Sequence, residues 1–413
     1  MTSLSPQQPY VLDPTGADRN TEHKALHAGG SATSVDILGV TAKAIADPAV
    51  LKRLLTSPDI SKDGRAHWPP FEEVIQRWPL KLWIDVDNMF TAYGGSHRRL
   101  RRLIAPAFSA RRIAALGEVV ETIVSDILDT LATRPAGEII DLREQLAFPV
   151  PIAVIAGLLG FSPSQARGFR VIVDGVFDTT LTVDEANQNA SALYEVMDEL
   201  IASKRAHPGE DLTSLLIAVR DSEGDGSGLS EAELRGTLML MISAGYETTV
   251  NVIDQAITLL LAHPEQLEHV RSGRAVWSDV VEETLRLEPP ATHIPLRYAI
   301  NDVDLPDGTT IDKGEAVLAS VGAANRHPSW HGETADAYDV TRVTQEHLAF
   351  GHGVHFCLGA PLARMEVKTV LEQLFHRFPK IELAVPAAEL TPINSLISNG
   401  HQQLPVRLRP AVH

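Results

Sequence analysis

Apolar residues recur at three- and four-residue spacing along most of this 413-residue chain, which is the pattern of helices that bury one face. The run 231–262 is apolar through its whole middle and predicts a long helix that is buried on most sides. Ser230, followed three residues later by Glu233, predicts a capping box at the start of that helix. The other predicted helices are 42–55, 97–116, 117–133, 163–176, 188–206, 276–287 and 360–377.

Runs rich in β-forming residues are few and short. They are "ILGVT" near 37, "VDL" near 303, "AVLASV" from 316 and "LPVRLRP" at the end of the chain, with a turn predicted at "PDGTT". The glycine-rich acidic stretch 221–230 predicts a surface loop. These patterns together predict a mainly α-helical protein with a small β region.

Composition narrows the class of protein. A hydrophobic content of 44% at this length predicts a globular chain with a large core. The chain has no apolar run of about 18 residues and no basic, apolar signal peptide at its start, so we expect a cytoplasmic protein without a membrane segment. One cysteine excludes an internal disulfide and fits a reducing compartment. The net charge of -17 argues against nucleic acid as a partner.

An acid and a hydroxyl interrupt the apolar middle of the long predicted helix. They are Glu247 and Thr248, in "SAGYETT", and Gly245 beside them costs about 1 kcal/mol of helix propensity. In one interpretation the helix kinks there, the hydroxyl bonds back to the preceding turn and the glutamate reaches solvent. In the other, the two side chains deliver protons beside a cavity opened by small residues, because buried carboxylates are rare unless paired or functional.

The only cysteine, Cys357, lies in "FGHGVHFCLGAPLAR" at the start of a predicted helix. The field of a helix N-terminus favours a thiolate, so we expect a lowered pKa for this thiol. Gly351, Gly353 and Gly359 permit a tight loop that a flat ligand can approach closely. A lone cysteine is otherwise more often an inert small hydrophobe.

The spacing of five residues in this loop resembles the haem-binding loop of the cytochrome P-450 family. They are Phe350, Gly353, His355, Cys357 and Gly359. In that family the cysteine thiolate is the proximal ligand of the iron of haem b. The resemblance therefore implies that Cys357 is the metal ligand in this chain.

Three further stretches match the same family in the same order, namely "HRRLR", "AGYETT" and "EETLR". The resemblance covers the chain from about residue 35 onward. It implies one haem-thiolate monooxygenase domain over 35–413, preceded by an N-terminal extension over 1–34, with the haem between the long central helix and the helix after the cysteine. Tyr246 departs from the pattern, because many bacterial relatives carry histidine there.

The resemblance also implies a cofactor-binding set and a structural triad. The cofactor-binding set comprises His97, Arg101, Ala244, Gly245, Arg297, Phe350, His355 and Gly359. His97 and Arg101 are four residues apart on one helical face, which suits two carboxylates of haem. The neighbouring Arg98, Arg99 and Arg102 fit a solvated basic face instead. Glu283 and Arg286, with Arg342, form the triad that holds the cysteine loop.

Glu247 and Thr248 are the implied catalytic residues. The resemblance implies that dioxygen binds opposite Cys357 beside Ala244 and Gly245, that Thr248 hydrogen-bonds to it, and that Glu247 connects the site with bulk protons. Thiolate ligation favours cleavage of the O–O bond, so the resemblance further implies that one oxygen atom enters a C–H or C=C bond of the substrate.

Electrons must come from another protein, because the chain has neither a nucleotide-binding fingerprint nor a flavin or iron–sulfur domain. The resemblance implies a ferredoxin, itself served by a ferredoxin reductase, and a monomeric enzyme. The arginines of "HRRLRR", with Arg111, Arg112 and Arg364, are candidates for the surface that receives an acidic ferredoxin.

The substrate is predicted to be a rigid lipophilic molecule such as a macrolide or other polyketide, a steroid or a terpenoid. By family position, the substrate pocket is lined by 78–93, residues near Phe177, Leu240, Ser243, 291–295 and 395–398. These positions are mostly apolar, with a few hydroxyl and imidazole groups. Trp83, Met89 and Phe90 are as suited to the core as to substrate contact.

Two alternative functions stay open, namely a haem-thiolate isomerase or peroxygenase that needs no reductant, and a non-catalytic haem-binding protein. The intact Glu247–Thr248 pair favours the monooxygenase.

Overall fold

The computed structural model describes residues 8–161, 170, 172–222 and 228–409. The described chain is mainly helical, which confirms the predicted fold class. Its α-helices are Arg19–Ala28, Pro48–Thr56, Gly64–His67, Phe71–Arg77, Gly94–Ile104, Ala110–Ala132, Pro149–Leu159, Val183–Ala206, Leu212–Ser222, Glu231–Ala262, Pro264–Arg271, Trp277–Leu287, Val321–Asn325, Pro328–His331 and Ala360–Arg377. Residues 172–177 are also helical. Most of the helix predicted at 163–176, and 223–227 of the predicted loop, lie outside the described residues.

The strands of the described residues form three small sheets. The largest has the order Tyr10–Val11, Thr33–Ile37, Val40–Ile45, Ala316–Ala319, Ile294–Ala299 and Ile60–Ser61. A three-stranded antiparallel sheet has the order Glu382–Leu383, Pro405–Arg407 and Ile139–Asp141. The third sheet pairs Val303–Asp304 with Thr310–Ile311 around the predicted "PDGTT" turn.

The prediction of one helix over 42–55 is wrong in its first half. Val40–Ile45 is a strand in which buried and more accessible residues alternate, and the helix starts only at Pro48. Asp47 caps that helix by accepting hydrogen bonds from Ala49 N and Val50 N. The strand prediction near 37 merged two strands, because Leu38 and Gly39, both with positive φ, turn the chain into a hairpin.

Two other predicted helix boundaries shift. The break predicted at 116 and 117 lies instead at Ala105–Phe108, a 3-10 turn that contains Pro106, because proline removes a backbone donor and disfavours a continuous helix. The helix predicted from 188 starts at Val183, because Thr182 and Glu185 form a capping box there.

The N-terminal segment packs against the rest of the chain. Tyr10–Val11 pairs in parallel with Thr33–Ile37, and Arg19 donates hydrogen bonds to three carbonyls of the C-terminal segment 395–398. Leu26, in the first helix, is fully buried in the main core. The boundary predicted between residues 34 and 35 therefore falls inside a paired strand.

Glu231–Ala262, the central helix, passes through the core and positions the rest of the molecule. Its bounds and the capping box of Ser230 and Glu233 confirm the prediction. It packs against Pro149–Leu159 on one side and against Ala360–Arg377, the helix after the cysteine, on another. In the described part of the chain no helix combines the length and apolarity needed to cross a membrane.

Candidate active site

The backbone of the cysteine loop is fixed by hydrogen bonds and by one close packing contact. Cys357 N donates to Phe350 O at 2.9 Å, and Phe356 N donates to Gly353 O at 3.0 Å. Gly353 has φ 71°, and a Cβ there would lie 2.9 Å from the carbonyl oxygen of Leu55. Only glycine satisfies both conditions, so this position lets the loop pack on Pro48–Thr56.

The Cys357 side chain is accessible at the start of its helix, and the thiol receives hydrogen bonds from the backbone N–H groups of Gly359 and Ala360. Surrounding protein atoms partly desolvate the sulfur and so raise the pKa of the Cys357 thiol, while these N–H groups, with Arg101 and Arg364, lower it by less. The expectation of a lowered pKa is therefore wrong for the polypeptide alone. Coordination to a metal ion deprotonates a thiol outright, which the helix N-terminus then supports.

The predicted structural triad is confirmed. Arg286 Nε and Nη2 donate to the two carboxylate oxygens of Glu283 at 2.7 and 2.8 Å, and Arg342 Nε lies 3.3 Å from Glu283 Oε1. Arg286 also donates to Ala335 O and Ala337 O, which ties the central part of the fold to the segment before the cysteine loop. Glu283 and Arg286 are both fully buried, so each charge depends on the other.

Two histidines and an arginine meet beside the cysteine loop. The rings of His97 and His355 have their centroids 4.1 Å apart, and Arg101 Nη2 donates to Phe356 O at 2.7 Å. Burial and then the neighbouring cations lower the pKa of His355 to about 2. His97 is buried, and its Nε2 has no hydrogen-bond partner among the described residues.

Arg297 is a buried cation close to this group. Its Nη1 is enclosed and meets no acceptor in the ranges that the structure describes, and burial lowers the pKa of its guanidinium to about 10. Buried donors and charges of this kind are unfavourable without an acceptor. Two carboxylates beside a flat, apolar ring would supply the missing acceptors, so these residues fit the propionates of haem.

A strip of the central helix is accessible although the rest of its middle is buried. Leu240, Ala244 and Thr248 follow one another at four-residue spacing along this strip, and Ala244 is the most exposed of the three. Gly245 lies off the strip, because a Cβ there would lie 2.8 Å from Ile155 Cδ1. Gly245 thus allows close packing of two helices, while Ala244 and Thr248 border the accessible space.

Thr248 and Glu247 differ sharply in environment. Thr248 donates to Ala244 O, the back-bonded geometry that the first interpretation predicts. Glu247 is buried, so the interpretation in which it reaches solvent is wrong. Its Oε1 lies 3.4 Å from Arg143 Nη2 and accepts hydrogen bonds from Asn251 and Ser398, each at 3.1 Å. Burial raises the pKa of Glu247 by more than these partners lower it.

Arg143 is a part of the candidate site that the sequence did not predict. It lies in the π-helical turn Arg143–Ala147 and bridges Glu247 to Asp254, whose Oδ2 is 2.9 Å from Arg143 Nη1. His401 completes the network, because its Nδ1 lies 3.0 Å from Asp254 Oδ1. The sequence feature that could have identified Arg143 is the presence of an arginine shortly before the apolar run "LAFPVPIAVIAGLL".

A cavity of about 280 Å³ opens beside Glu247 and is lined by charged groups. Arg143, Arg170 and Asp174 line it together with Glu247. Burial, followed by the charge of Glu247, raises the pKa of Asp174 to about 7. Glu247 Oε2 is enclosed and, within the described chain, has no hydrogen-bond partner. This cavity therefore connects a buried acid with polar surroundings.

Several polar groups predicted to line the substrate pocket are turned away from it. His293 is buried and contacts Glu22 and Ser320 at 2.6 and 3.2 Å. Thr292 donates to Leu396 O, and Ser395 donates to Phe177 O. The accessible lining is therefore more apolar than the sequence predicts.

Aromatic residues of the 78–93 segment pack against one another near the expected pocket. Trp83 makes edge contacts with Phe90 and Phe177, and its Nε1 donates to Val176 O at 3.1 Å. Trp83 and Phe90 are half-buried, whereas Phe177 is buried. The three rings form a continuous apolar wall.

The arginines considered for ferredoxin docking fall into two groups. Arg364 is held by Glu282 at 2.6 Å, and Arg99 is paired with Glu233. The exposed members of the cluster are Arg98, Arg102, Arg111 and Arg112. These four arginines therefore carry the positive charge that a partner protein can contact.

Three features are those of a haem-thiolate oxygenase site: an accessible cysteine at a helix start, a buried arginine beside it whose Nη1 lacks an acceptor in the described chain, and an accessible strip whose Thr248 adjoins the buried Glu247. A family model described as "Cytochrome P450" matches residues 158–273 and 275–394. The solved structure of CYP154A1 from Streptomyces coelicolor A3(2) is 64% identical with a TM-score of 0.94, covering 97% of this chain and 100% of that one.

Two characterised relatives are hydroxylases. A 2-hydroxy-5-methyl-1-naphthoate 7-hydroxylase of Streptomyces carzinostaticus is 39% identical, over 97% of this chain and 98% of its own length. A 6-deoxyerythronolide B hydroxylase of Saccharopolyspora erythraea is 34% identical, over 91% and 92%. The chain belongs to the cytochrome P450 family; it is a monooxygenase whose cofactor is haem b.

Proposed function

We propose that this monooxygenase takes electrons from a ferredoxin, served by a ferredoxin reductase, and hydroxylates or epoxidises a rigid polyketide-derived substrate. The observation that carries the reaction is the pairing of an accessible Thr248 with a buried, anchored Glu247 beside a polar cavity. A reductant-independent isomerase or a haem-binding protein without catalysis has no need of such a pair.

Cys357 would ligate the haem iron through its thiolate, and the cationic and imidazole side chains beside the loop would hold the two propionates. His97, Arg101, Arg297 and His355 offer donors that suit carboxylates, and Phe350 and Gly359 shape the loop around the sulfur. When bound, the haem supplies dioxygen activation and transfer of one oxygen atom to the substrate. The remaining steps depend on the chain's own side chains.

Thr248 positions the oxygen substrate, and Glu247 supplies protons. The Thr248 hydroxyl lies on the accessible strip and can turn from Ala244 O to donate a hydrogen bond into that space. Glu247 retains a proton more readily than an ordinary glutamate because burial raises its pKa. Arg143 holds one carboxylate oxygen, which leaves Oε2 to exchange a proton with the cavity.

An apolar pocket supports a rigid lipophilic substrate. The wall formed by Trp83, Phe90 and Phe177 suits a fused aromatic ring system or a macrolactone. The names of two relatives point to the same two classes, a substituted naphthoate and 6-deoxyerythronolide B. We therefore place the substrate among aromatic or macrolide polyketides.

The exposed arginines near the cysteine loop support a ferredoxin as the electron donor. The helix Gly94–Ile104 carries Arg98 and Arg102, and the next helix carries Arg111 and Arg112. Arg101 of the same helix contacts the loop directly, so this surface lies beside Cys357. A positive patch on a chain of net charge -17 suits an acidic partner.

The test is spectral binding followed by turnover. The ferric protein is titrated with 1-naphthoate, 6-deoxyerythronolide B and a terpenoid such as camphor, and compounds that shift the haem to high spin are incubated with ferredoxin, ferredoxin reductase and NADPH. We expect a shift and an oxygenated product from a polyketide. Product formed equally well without the reductase would overturn ferredoxin dependence, and a response to camphor alone would overturn the substrate class.

A further inference from the structure

Lys62 is a fully enclosed cation that the sequence does not single out. It is 3% exposed and directly follows the strand Ile60–Ser61. That strand pairs antiparallel with the strand of Arg297, with Ser61 opposite Tyr298. The register therefore brings Lys62 level with Arg297 at the edge of the sheet.

The surroundings of Lys62 lack a counter-charge. Its Nζ donates one hydrogen bond, to Pro295 O at 2.9 Å, and lies 3.8 Å from the centroid of the Phe90 ring. In the described ranges no carboxylate forms an ion pair with it. Arg297, itself a cation without an ion pair to any described carboxylate, is the other charged group that acts on it. Burial and then Arg297 lower the pKa of the Lys62 ammonium.

Two buried cations side by side are unfavourable unless an anion lies between them. An ammonium has three donors, of which Pro295 O occupies one, and Arg297 Nη1 is enclosed without an acceptor among the described residues. The strand register places Lys62 beside Arg297, so the lysine belongs to the same buried cation group. A carboxylate between Lys62 and Arg297 would supply both the missing acceptor and the counter-charge.

We propose that Lys62, together with Arg297, binds one propionate of the haem. The inference rests on the placement of the haem proposed above and adds a cofactor-binding residue to it. A substrate carboxylate is the other possible source of the anion. The Phe90 ring belongs to the 78–93 segment, which is predicted to line the substrate pocket, and it covers the ammonium. This ring shields the ammonium from the substrate, which favours the propionate.

Haem release tests the proposal directly. The rate of haem transfer from the ferric holoprotein to apomyoglobin is measured for the wild type, Lys62→Met and Lys62→Arg. We expect Lys62→Met, which keeps the shape and removes the charge, to release haem roughly tenfold to a hundredfold faster, because hydrogen bonds to charged groups are the strong ones. Lys62→Arg should restore most of the slow release.

Two controls separate a propionate contact from a general loss of stability. Lys43→Met removes a lysine of the same sheet that is paired with Glu315 and should leave haem release unchanged. When the protein is reconstituted with haem dimethyl ester, whose propionates are neutral, the difference between wild type and Lys62→Met should disappear. A difference that persists with the ester would overturn the proposal in favour of a structural role.

Equal haem release from the wild type and Lys62→Met would overturn the proposal as well. If that variant then bound 1-naphthoate more weakly but camphor normally, the anion would be a substrate carboxylate. A wild-type protein that binds no haem at all would instead overturn the placement of the haem itself.

Discussion

Glu247 and Arg143 are joined in the core, with Glu247 Oε1 3.4 Å from Arg143 Nη2 and both side chains almost fully buried. The central helix supplies the acid and the π-helical turn supplies the arginine. One carboxylate oxygen is thereby fixed, while the other is left without a partner in the described chain. This arrangement holds the acid in one orientation beside Thr248.

Replacing Thr248 by alanine should uncouple electron use from product formation. The hydroxyl on the accessible strip would be lost, so we expect NADPH oxidation to continue while its electrons appear as hydrogen peroxide. Product formation should fall roughly 10²-fold, the scale of a lost acid–base contact. The measurement is the ratio of product and peroxide to NADPH consumed.

Thr249 offers a matched control for that variant. Its hydroxyl also donates to a carbonyl four residues back, Gly245 O at 3.1 Å, but its side chain is buried off the strip. Thr249→Ala should therefore keep the wild-type coupling ratio. Tight coupling in Thr248→Ala would remove Thr248 from the proton path.

Removing Arg143 should destabilise the protein strongly. Arg143→Met leaves two buried carboxylates, Glu247 and Asp254, without their shared cation. We expect the free energy of unfolding to fall by about 3–5 kcal/mol, as for other broken buried pairs. Urea denaturation followed by circular dichroism measures it, and Arg134→Met, which breaks an exposed pair with Glu138, should cost less than about 1 kcal/mol.

The pair of His401 and Asp254 should make stability depend on pH. Burial lowers the pKa of His401, but the Asp254 carboxylate raises it by more, so the net shift is upward. A raised pKa contributes stability that is complete below the unfolded value of about 6.5 and is lost as pH rises through the folded value. The stability difference between wild type and His401→Asn should thus be largest near pH 6 and shrink at alkaline pH. A difference that grows with pH would contradict this assignment.

Reversing the charge of Arg102 and Arg112 should slow electron transfer from ferredoxin and weaken its salt dependence, because steering by exposed charges is screened by salt. The measurement is the rate of haem reduction by reduced ferredoxin at several ionic strengths. As a control, the double variant Arg134→Glu with Arg407→Glu changes the net charge by the same amount and should keep the wild-type rate. An unchanged rate in Arg102→Glu with Arg112→Glu would show that ferredoxin docks elsewhere.

Local patterns predicted the helices that carry the site. Ala360–Arg377 and the central helix agree with the predicted bounds because their ends are marked by local signals, a loop glycine and a capping box. The back-bonded Thr248 was also predictable, since its partner is one turn away. The monomeric state and the cytoplasmic location stay predictions.

Long-range pairing explains what the sequence did not predict. Glu247 stays buried because Arg143, 104 residues away, meets it. His293 points away from the pocket because its ring forms a hydrogen bond with Glu22, which is 271 residues away in the sequence. Lys62 faces Arg297 only through strand pairing. Periodicity and motif spacing contain no information about such partners.

The central claim is that Cys357 holds the haem iron as a thiolate, and the carbon monoxide difference spectrum of the dithionite-reduced protein tests it most directly. Thiolate ligation shifts the haem Soret band characteristically. The account predicts a thiolate-type carbonyl band for the wild type and its loss in Cys357→His. A wild-type protein that shows an imidazole-type band, or that contains no haem, would contradict it.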